Sequence, residues 1–339
     1  AACVGLVQND IKKVLAYSTV SQLGFMVAAL GVGAWTAAMF HLFTHAFFKG
    51  CLFLCAGSLS HACHHSFNMV EDMGGLRKVM PKTFWAFVIS AASLAGIFPL
   101  AGFWSKDEIL AGTGGVNSGV GSYQIVLVAL IIGAVCTAGY MTRAIWYVFF
   151  GEYRGHGEPH ESGPRITIPL MILATLAVVA GFVNLPEKIF VELPSWLSLR
   201  FEHAVEPVGL YFPNESTDFT HAAFNPALAG TALALALLSA ALVWSFYTGR
   251  LKALQGLAGR NKAAGLGKRI LENKYYLDWL YTDIIVGFVK GPLAGAANWV
   301  NQHVIDAVVN GAGSNAAKAG EFVYHRIDQN VVDGAVNGA

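Results

Sequence analysis

Six stretches of this chain are long and apolar enough to cross a lipid bilayer: 14–31, 36–60, 84–110, 122–148, 166–184 and 226–248. A membrane-spanning helix needs about 20 mainly apolar residues. Residues 1–7 are apolar as well and read as the tail of an earlier span. The composition agrees. Of 339 residues, 55% are hydrophobic and 13% charged, against about 25% charged in a soluble chain. Disorder needs low hydrophobicity and high charge, so it is excluded. Five cysteines, an odd and sparse set, do not make a disulfide scaffold. A net charge of +1 argues against nucleic-acid binding. No signal-peptide pattern is visible, and the chain starts Ala1-Ala2-Cys3, which points to a piece cut from a longer protein.

Loop charges orient the spans, because Lys and Arg concentrate in cytoplasmic loops. Lys12 and Lys13 precede the first span. Arg77, Lys78 and Lys82 follow the second, Arg154 and Arg165 the fourth, and six basic residues from Arg250 to Arg269 the sixth. Alternating spans put all of these on one face, the inside. The outside receives the uncharged Gly-rich loop 111–121 and the acidic stretch 185–225. There Lys188 and Arg200 are outnumbered by Glu187, Glu192, Glu202, Glu206, Glu215 and Asp218. The fifth and sixth spans carry no charge and read as bilayer-filling.

The second span is different. His41, His45 and Lys49 recur every four residues and share one helical stripe. Lys49 is central, where a charge costs at least ~2.5–3.5 kcal/mol and marks an ion path or proton relay by default. Titratable groups one turn apart can pass protons through intervening water. The structural alternative is a snorkelling lysine with two histidines in interhelical contacts, but snorkelling works near helix ends. Cys51 and Cys55 on the same helix read as packing residues.

The third span contains GIFPLAGFWSKDEIL. Gly96, Pro99 and Gly102 interrupt it, and Pro99 frees the carbonyl of Ala95. Broken helices at membrane depth occur inside protein or beside water, and with nearby charges they characterise ion-coupled transporters. Lys106 and Asp107 follow the break. Ser105 to Glu108 fits a capping box for a restarting half-helix, which accounts for Glu108. A lysine gains nothing at a positive helix N-terminus, so Lys106 reads as a proton carrier, with Asp107 as its candidate counter-ion.

Other polar residues have plainer readings. Tyr17, Ser18, Thr19, Ser21 and Gln22 on the first span read as helix packing in preference to a wet path. Arg143 reads as reaching the interface from the inner end of the fourth span. His61, Cys63, His64 and His65 form H-x-C-H-H, which is no standard metal spacing. No nucleotide, flavin, iron–sulfur or haem motif appears.

Together DIKKVLAYSTVSQLGFM (10–26), HLFTHAFFKGCLFLCAGS (41–58), MGGLRK (73–78) and GFWSKDEIL (102–110) resemble one family. It is the antiporter-like membrane subunits of proton-pumping NADH:quinone oxidoreductase, respiratory complex I. The resemblance implies an all-α polytopic membrane protein. Such subunits carry two inverted five-helix repeats, each with a broken helix, and a midplane axis of Lys and His. This chain matches the second repeat, with Lys49, His41, His45 and Lys106 on the family's relay positions. The first repeat, with its glutamate–lysine pair, is absent here. The resemblance further implies that this chain holds no redox cofactor. NADH, FMN, iron–sulfur clusters and quinone would be bound by partner subunits. Its own partners would be the bilayer and other membrane-arm subunits, chiefly the neighbouring antiporter-like subunit, in a bacterial inner membrane.

The expected organisation is then threefold. Residues 1–150 form the C-terminal part of the antiporter-like domain, with its broken helix near 96–106. Residues 151–248 add further spans, and 249–339 a basic linker and an amphipathic helix. In 275–310, Leu277, Leu280, Ile284 and Phe288 recur at helical spacing, and Pro292 predicts a kink. VIDAVVNG (304–311) recurs as VVDGAVNG (331–338), which predicts two short helices ending at Asn-Gly. The resemblance implies here a long helix parallel to the membrane, acting as a strut, with one last span beyond the end of the chain. Two other functions compete with a complex I subunit. One is the large subunit of an Mrp-type sodium/proton antiporter, and the other a non-transporting assembly or anchor protein. Relatives in photosynthetic and hydrogenase complexes are harder to exclude.

Overall fold

The computed structural model describes residues 1–114, 121–187, 194, 200–205, 224–251 and 255–339. Of the charged loop residues, Lys188, Glu192, Glu206, Glu215, Asp218 and Lys252 lie outside the described residues. Two units are distinguished, Ala1–Glu272 and Asn273–Ala339.

The first unit is a helical bundle. A short α1 (Ala2–Gly5) leads into α2 (Ile11–Gly31) and α3 (Trp35–Ala62). Then follow α4 (Pro81–Ala95), α5 (Ala101–Gly112), α6 (Gly121–Phe149) and α7 (Pro164–Val179), with α7 running on as a 3-10 turn to Asn184. After α8 (Arg200–Val205) comes α9 (Pro226–Tyr247), then the short α10 (Leu257–Arg260) and α11 (Lys262–Glu272). Among the described residues, five helices are long and apolar enough to span a membrane: α2, α3, α6, α7 with its extension, and α9. The third expected span, 84–110, is instead two shorter helices, α4 and α5, end to end around the break. No strand occurs among the described residues; the one β-bridge joins Asp10 and Asn68.

The chain turns inside out relative to a soluble protein. Val20, Val27, Trp85, Ile125, Ile132, Ile168, Ile172, Leu238 and Leu242 are exposed on the outer surface. Gln22, His41, Thr44, Lys49, Ser90, Ser105 and Lys106 are buried inside. Lipid tails solvate the first set, and only the bundle interior can satisfy the second. The protein is a multi-pass membrane protein.

Contacts among the loops agree with the alternation of the spans. The start of α2 meets the segment after α3, with Ile11 N–H donating to Phe67 O (2.9 Å) and Met69 N–H to Asn9 O (3.0 Å). Arg154, after α6, donates to the carbonyls of Val70 (2.7 Å), Met69 (3.1 Å) and Tyr147 (2.8 Å). Glu161, before α7, binds the start of α4. Lys12, Arg77, Lys82, Arg154 and Arg165 therefore belong to one end of the bundle. By the positive-inside rule that end is cytoplasmic.

Arg143 departs from its expected place. It is buried, not snorkelling. Its guanidinium donates to Gln8 O, to Asn9 Oδ1 (2.7 Å) and to Tyr247 Oη (3.1 Å). It thus fastens α6 to the turn before α2 and to the end of α9. A planar fork of donors suits three acceptors in different directions, which a compact ammonium does not.

The break is built from identifiable parts. Helix α4 ends on Gly96 in the left-handed conformation (φ 79°). Gly96 N–H bonds Ser93 O (2.9 Å) and Ile97 N–H bonds Ala92 O (3.0 Å), the pair of bonds of a Schellman stop. A cis Phe98–Pro99 bond follows. Helix α5 starts at Ala101, with Leu100 at its N-cap and no side-chain cap of its own. A side chain on α4 supplies one: Gly102 N–H donates to Ser93 Oγ (3.0 Å). The capping box expected at Ser105–Glu108 is not used, because those residues lie in the second and later turns of α5. Glu108 instead accepts from Asn184 Nδ2 (3.1 Å). A local S-x-x-E pattern cannot show where a helix begins when the start is set by another helix.

The second unit is helical from 277 to 338, with α and π turns alternating. Lys274, Tyr275 and Tyr276 precede it with positive φ. Pro292 sits within the π turn Val289–Leu293 and the helix continues through it. A widened turn accommodates a residue that has no N–H to give. The first Asn-Gly, Asn310-Gly311, lies inside the helix Asp306–Phe322, so only the second copy of the repeat ends a helix. Large apolar residues such as Leu277, Ile284, Phe288, Trp299 and Phe322 are exposed along this unit.

Gly102 gives a direct test of the break. A Cβ there would stand 1.9 Å from the Ser93 carbonyl oxygen, whereas a Cβ at Gly24 meets nothing within 4 Å. Gly102→Ala is expected to destabilise the bundle by about 1–3 kcal/mol or more. Gly24→Ala should stay within ~0.5 kcal/mol of the parent. Thermal unfolding in detergent, followed by tryptophan fluorescence, reads both.

Candidate functional site

Helix α3 brings the stripe inward. His41, His45 and Lys49 are all buried, with Lys49 at 4% exposure. Three residues spaced by four stay on one helical face, and that face meets α2 and α5. The partners come from those neighbours. His41 Nε2 lies 3.1 Å from Gln22 Oε1 on α2, and its Nδ1 2.9 Å from Ser105 Oγ on α5. Thr44 Oγ1 joins Ser105 Oγ at 2.8 Å. The Lys49 ammonium donates to the Leu15 carbonyl (2.9 Å) and to Ser18 Oγ, both on α2.

Lys106 sits on the other side of the break. It is 5% exposed, and its ammonium donates to the carbonyl of Leu94. That carbonyl lies in the last turn of α4, where a helix has no N–H left to offer. The carbonyl that matters is thus Leu94's, not Ala95's. The helix has already ended before Pro99, so the missing proline N–H is not what frees it. Gly96 leaves room for the lysine stem: a Cβ at that position would stand only 3.4 Å from Lys106 Cδ.

Neither lysine is held by a carboxylate. Among the described residues, ion pairs form instead between Lys268 and Glu272 and between Lys274 and Asp278. Asp107 is 5% exposed, and its Oδ1 finds no hydrogen-bond partner. The structure does not bring it to Lys106: consecutive residues on a helix point about 100° apart.

The assembled side chains form a line across the bundle. It starts at Lys49 with Ser18, passes His45 and His41 with Gln22, and reaches Ser105 beside Lys106. The His41 and His45 rings are 6.1 Å apart between centroids, and Phe48 packs against both. Two buried nitrogens on this line, His45 Nε2 and Gln22 Nε2, lack a protein partner. Buried polar atoms of this kind are places for ordered water. Every group on the line can give and take a proton, except the Gln22 amide, which orients His41.

Ser18, Gln22, Thr44 and Ser105 were not legible as members of this site. Polar residues on a span more often pack helix to helix. The available signal was the four-residue spacing of Ser18 and Gln22, which matches that of the stripe they face. At the cytoplasmic end, His61 lies 5.8 Å from His65 and 6.0 Å from His160, ring to ring. No group of three His, Cys, Asp or Glu in metal-binding reach occurs among the described residues.

An apolar exterior, a split helix and lysines and histidines facing one another inside define an antiporter-like bundle. Comparison with known proteins agrees. Residues 1–137 match the family described as NADH:quinone oxidoreductase/Mrp antiporter, TM. The chain is 36% identical to NADH-quinone oxidoreductase subunit L of Escherichia coli, over 91% of this chain and 45% of that protein. It is 35% identical to NAD(P)H-quinone oxidoreductase chain 5 of Picosynechococcus, over 94% and 49% respectively. A third relative, subunit L of Pseudomonas aeruginosa, is 44% identical over 55% of this chain and 29% of that protein. Over most of its length the chain is thus similar to antiporter-like membrane subunits of NADH-quinone oxidoreductase. It spans about half the length of the curated relatives it matches.

Ser105 is the joint between His41 and α5. Ser105→Ala is expected to leave the fold intact while cutting proton transfer along the line. His41 Nδ1 would lose its fixed partner, and a displaced relay group costs on the order of 10²-fold. Ser105→Thr keeps the hydroxyl and should retain transfer. Proton uptake by vesicles containing each variant, normalised to the amount of assembled protein, distinguishes the two.

Proposed function

We propose that this chain is the proton-translocating part of a membrane-arm subunit of NADH:quinone oxidoreductase. Protons cross by way of Lys49, His45, His41 and Lys106. The observation that carries the reading is the burial of two lysines, each resting on neutral oxygens of a neighbouring helix. A cation kept at membrane depth is costly, at least ~2.5–3.5 kcal/mol, and such residues are retained for ion movement. Neutral acceptors allow the ammonium to lose its proton without leaving an orphaned carboxylate behind. Each lysine can therefore alternate between charged and neutral as its neighbours change state. Asp107, buried with one oxygen unpartnered, would be a further proton-carrying group of this relay.

Moving one charge against 100 mV requires about 2.3 kcal/mol. This chain has no motif for a redox cofactor, so that energy would come from NADH oxidation and quinone reduction in partner subunits. NADH, FMN, iron–sulfur clusters and quinone would reside there. The partners would be the other membrane-arm subunits, chiefly the adjacent antiporter-like one, in a bacterial inner membrane. The exposed apolar residues of 277–338 suit a strut laid along such neighbours or the membrane surface.

A second reading is the large subunit of an Mrp-type sodium/proton antiporter, since the matching family description covers both. A native gel of gently solubilised membranes, stained for NADH oxidation, separates them. Co-migration of the tagged chain with the stained band is expected. A large band without that activity would shift the assignment to sodium/proton exchange. In the NADH-oxidising assembly, Lys106→Ala should lower proton translocation through this subunit by about 10²-fold. Unchanged proton movement per NADH would overturn the relay.

A further inference from the structure

Helix α2 faces the line of relay groups with one stripe of its own. Ser18, Gln22 and Phe25 lie at i, i+4 and i+7, a spacing that keeps three residues on one side of a helix. Each meets a different member of the line. Ser18 Oγ accepts from the Lys49 ammonium, and Gln22 Oε1 lies 3.1 Å from His41 Nε2. Phe25 meets Lys106, whose ammonium stands over the ring, 5.2 Å from its centroid. The first two contacts are hydrogen bonds. The third is made by a side chain that can neither give nor take a proton.

The face of an aromatic ring is electron-rich and attracts a cation within about 6 Å of its centroid. The Lys106 ammonium has N–H groups to spare, since the Leu94 carbonyl takes only one. The ring of Phe25 covers another side of it. That ring is buried in the cluster that joins α2, α5 and α6, and its place is fixed from behind. A Cβ at Gly133 on α6 would stand 3.0 Å from its Cε2 and 3.3 Å from its Cζ. The missing side chain at Gly133 thus lets the ring lie against the α6 backbone. A leucine would fill the same core and offer Lys106 no such face. Lys49 also has a ring at 5.2 Å, that of Phe53, but Phe53 is 38% exposed and belongs to the lysine's own helix. Phe25 is the ring that a neighbouring helix holds in place inside the bundle.

We infer that Phe25 is a positioning residue of the relay, holding the charged form of Lys106 through the face of its ring. This rests on the proposed Lys49–Lys106 relay. The ring attracts the ammonium, yet it has no charge or lone pair to be stranded when the lysine is neutral. It therefore sets how readily Lys106 keeps its proton without becoming a stop on the path. The titratable groups that face Lys106 are His41, His45 and Lys49 on α3, while Asp107 and Glu108 adjoin it on α5. Of the other helices packed on α5, α2 carries only Lys12, Lys13 and Tyr17, α4 only Lys82, α7 only Arg165 and α9 only Tyr247, all towards the cytoplasmic end. On α6, behind the ring, Cys136 and Tyr140 lie nearest in sequence to Gly133.

The test uses the whole membrane complex in vesicles, driven by NADH and followed over a range of pH. Phe25 is replaced in turn by mono-, di- and trifluorinated phenylalanine. Each fluorine weakens the ring's attraction for a cation and changes its shape little. A weaker hold on the ammonium lets its proton go at lower pH. Proton translocation is therefore expected to fall off at progressively lower pH along the series, by about 0.5–1 pH unit for the trifluorinated ring. Phe25→Leu removes the face altogether and should move the fall at least as far. A profile that stays in place across the fluorinated series overturns the inference. So does a loss of rate that is equal at every pH, since that is the mark of packing alone. Lys106→Ala in the same vesicles is the reference. If it pumps normally, the relay itself has failed, and the role of Phe25 falls with it.

Discussion

An ammonium group inside a bilayer needs oxygens around it, and the break between α4 and α5 provides one. A continuous helix consumes its carbonyls along its own axis. Ending α4 at Ala95 leaves the Leu94 carbonyl available, and restarting at Ala101 brings Lys106 back to it. Gly96, Ser93 and Gly102 all serve this arrangement. The first turns the chain, the second caps the restart, and the third permits the two helices to touch. With the break in place, Ser105 falls opposite His41, and the stripe on α3 acquires its far end. A straight third span would have carried Lys106 with no carbonyl released from α4 to receive it.

The two lysines share a design that differs from a salt bridge. A buried ion pair holds its charges in place, and removing one partner strands the other. A lysine resting on a carbonyl and a hydroxyl has weaker reason to stay charged and leaves nothing stranded when it is neutral. Lys49 meets Leu15 and Ser18 in this way, and Lys106 meets Leu94. Fixed charge pairing is found instead outside the spans, in the Lys274–Asp278 pair and in Lys268–Glu272, which lie one turn apart on α11 and support that helix. At the cytoplasmic end the opposite need applies, because loops must be held. There Arg143 and Arg154 collect carbonyls from several segments, using the fixed fork that a lysine lacks.

Much of this was written in local spacing. The recurrence of His41, His45 and Lys49 announced a buried face, because polar groups at a period of four fall on one side of an apolar helix and must be met there by a neighbour. Gly96, Pro99 and Gly102 announced a break, since each weakens a helix and all three fall within two turns. What local spacing could not show was anything set by a distant segment. Glu161 caps a helix that starts 80 residues before it. Arg143 reaches back more than 130 residues to Gln8 and Asn9. Ser93 caps α5 from α4, and so the S-x-x-E pattern at Ser105 misled. The same limit hid Ser18, Gln22 and Ser105, whose neighbours decide whether a hydroxyl or amide packs or conducts. Asp107 was drawn to Lys106 by adjacency in sequence, yet adjacency on a helix separates side chains.

The arrangement also restricts how such a bundle can be driven. The hydrogen bonds of Lys49 reach only α2, and that of Lys106 reaches only α4, while His41 bridges α2, α3 and α5. A small movement of α5 therefore alters both the His41–Ser105 contact and the Lys106–Leu94 bond, while the bonds of Lys49 to α2 stay in place. Close packing makes such movements switch between discrete states in preference to deforming smoothly. The junction of the broken helix is where α5 can shift, because no continuous helical ladder runs through 96–100. The same interruption that supplies Lys106 with its carbonyl thus leaves α5 able to shift, and the Ser105 hydroxyl and the Lys106 ammonium register that shift together.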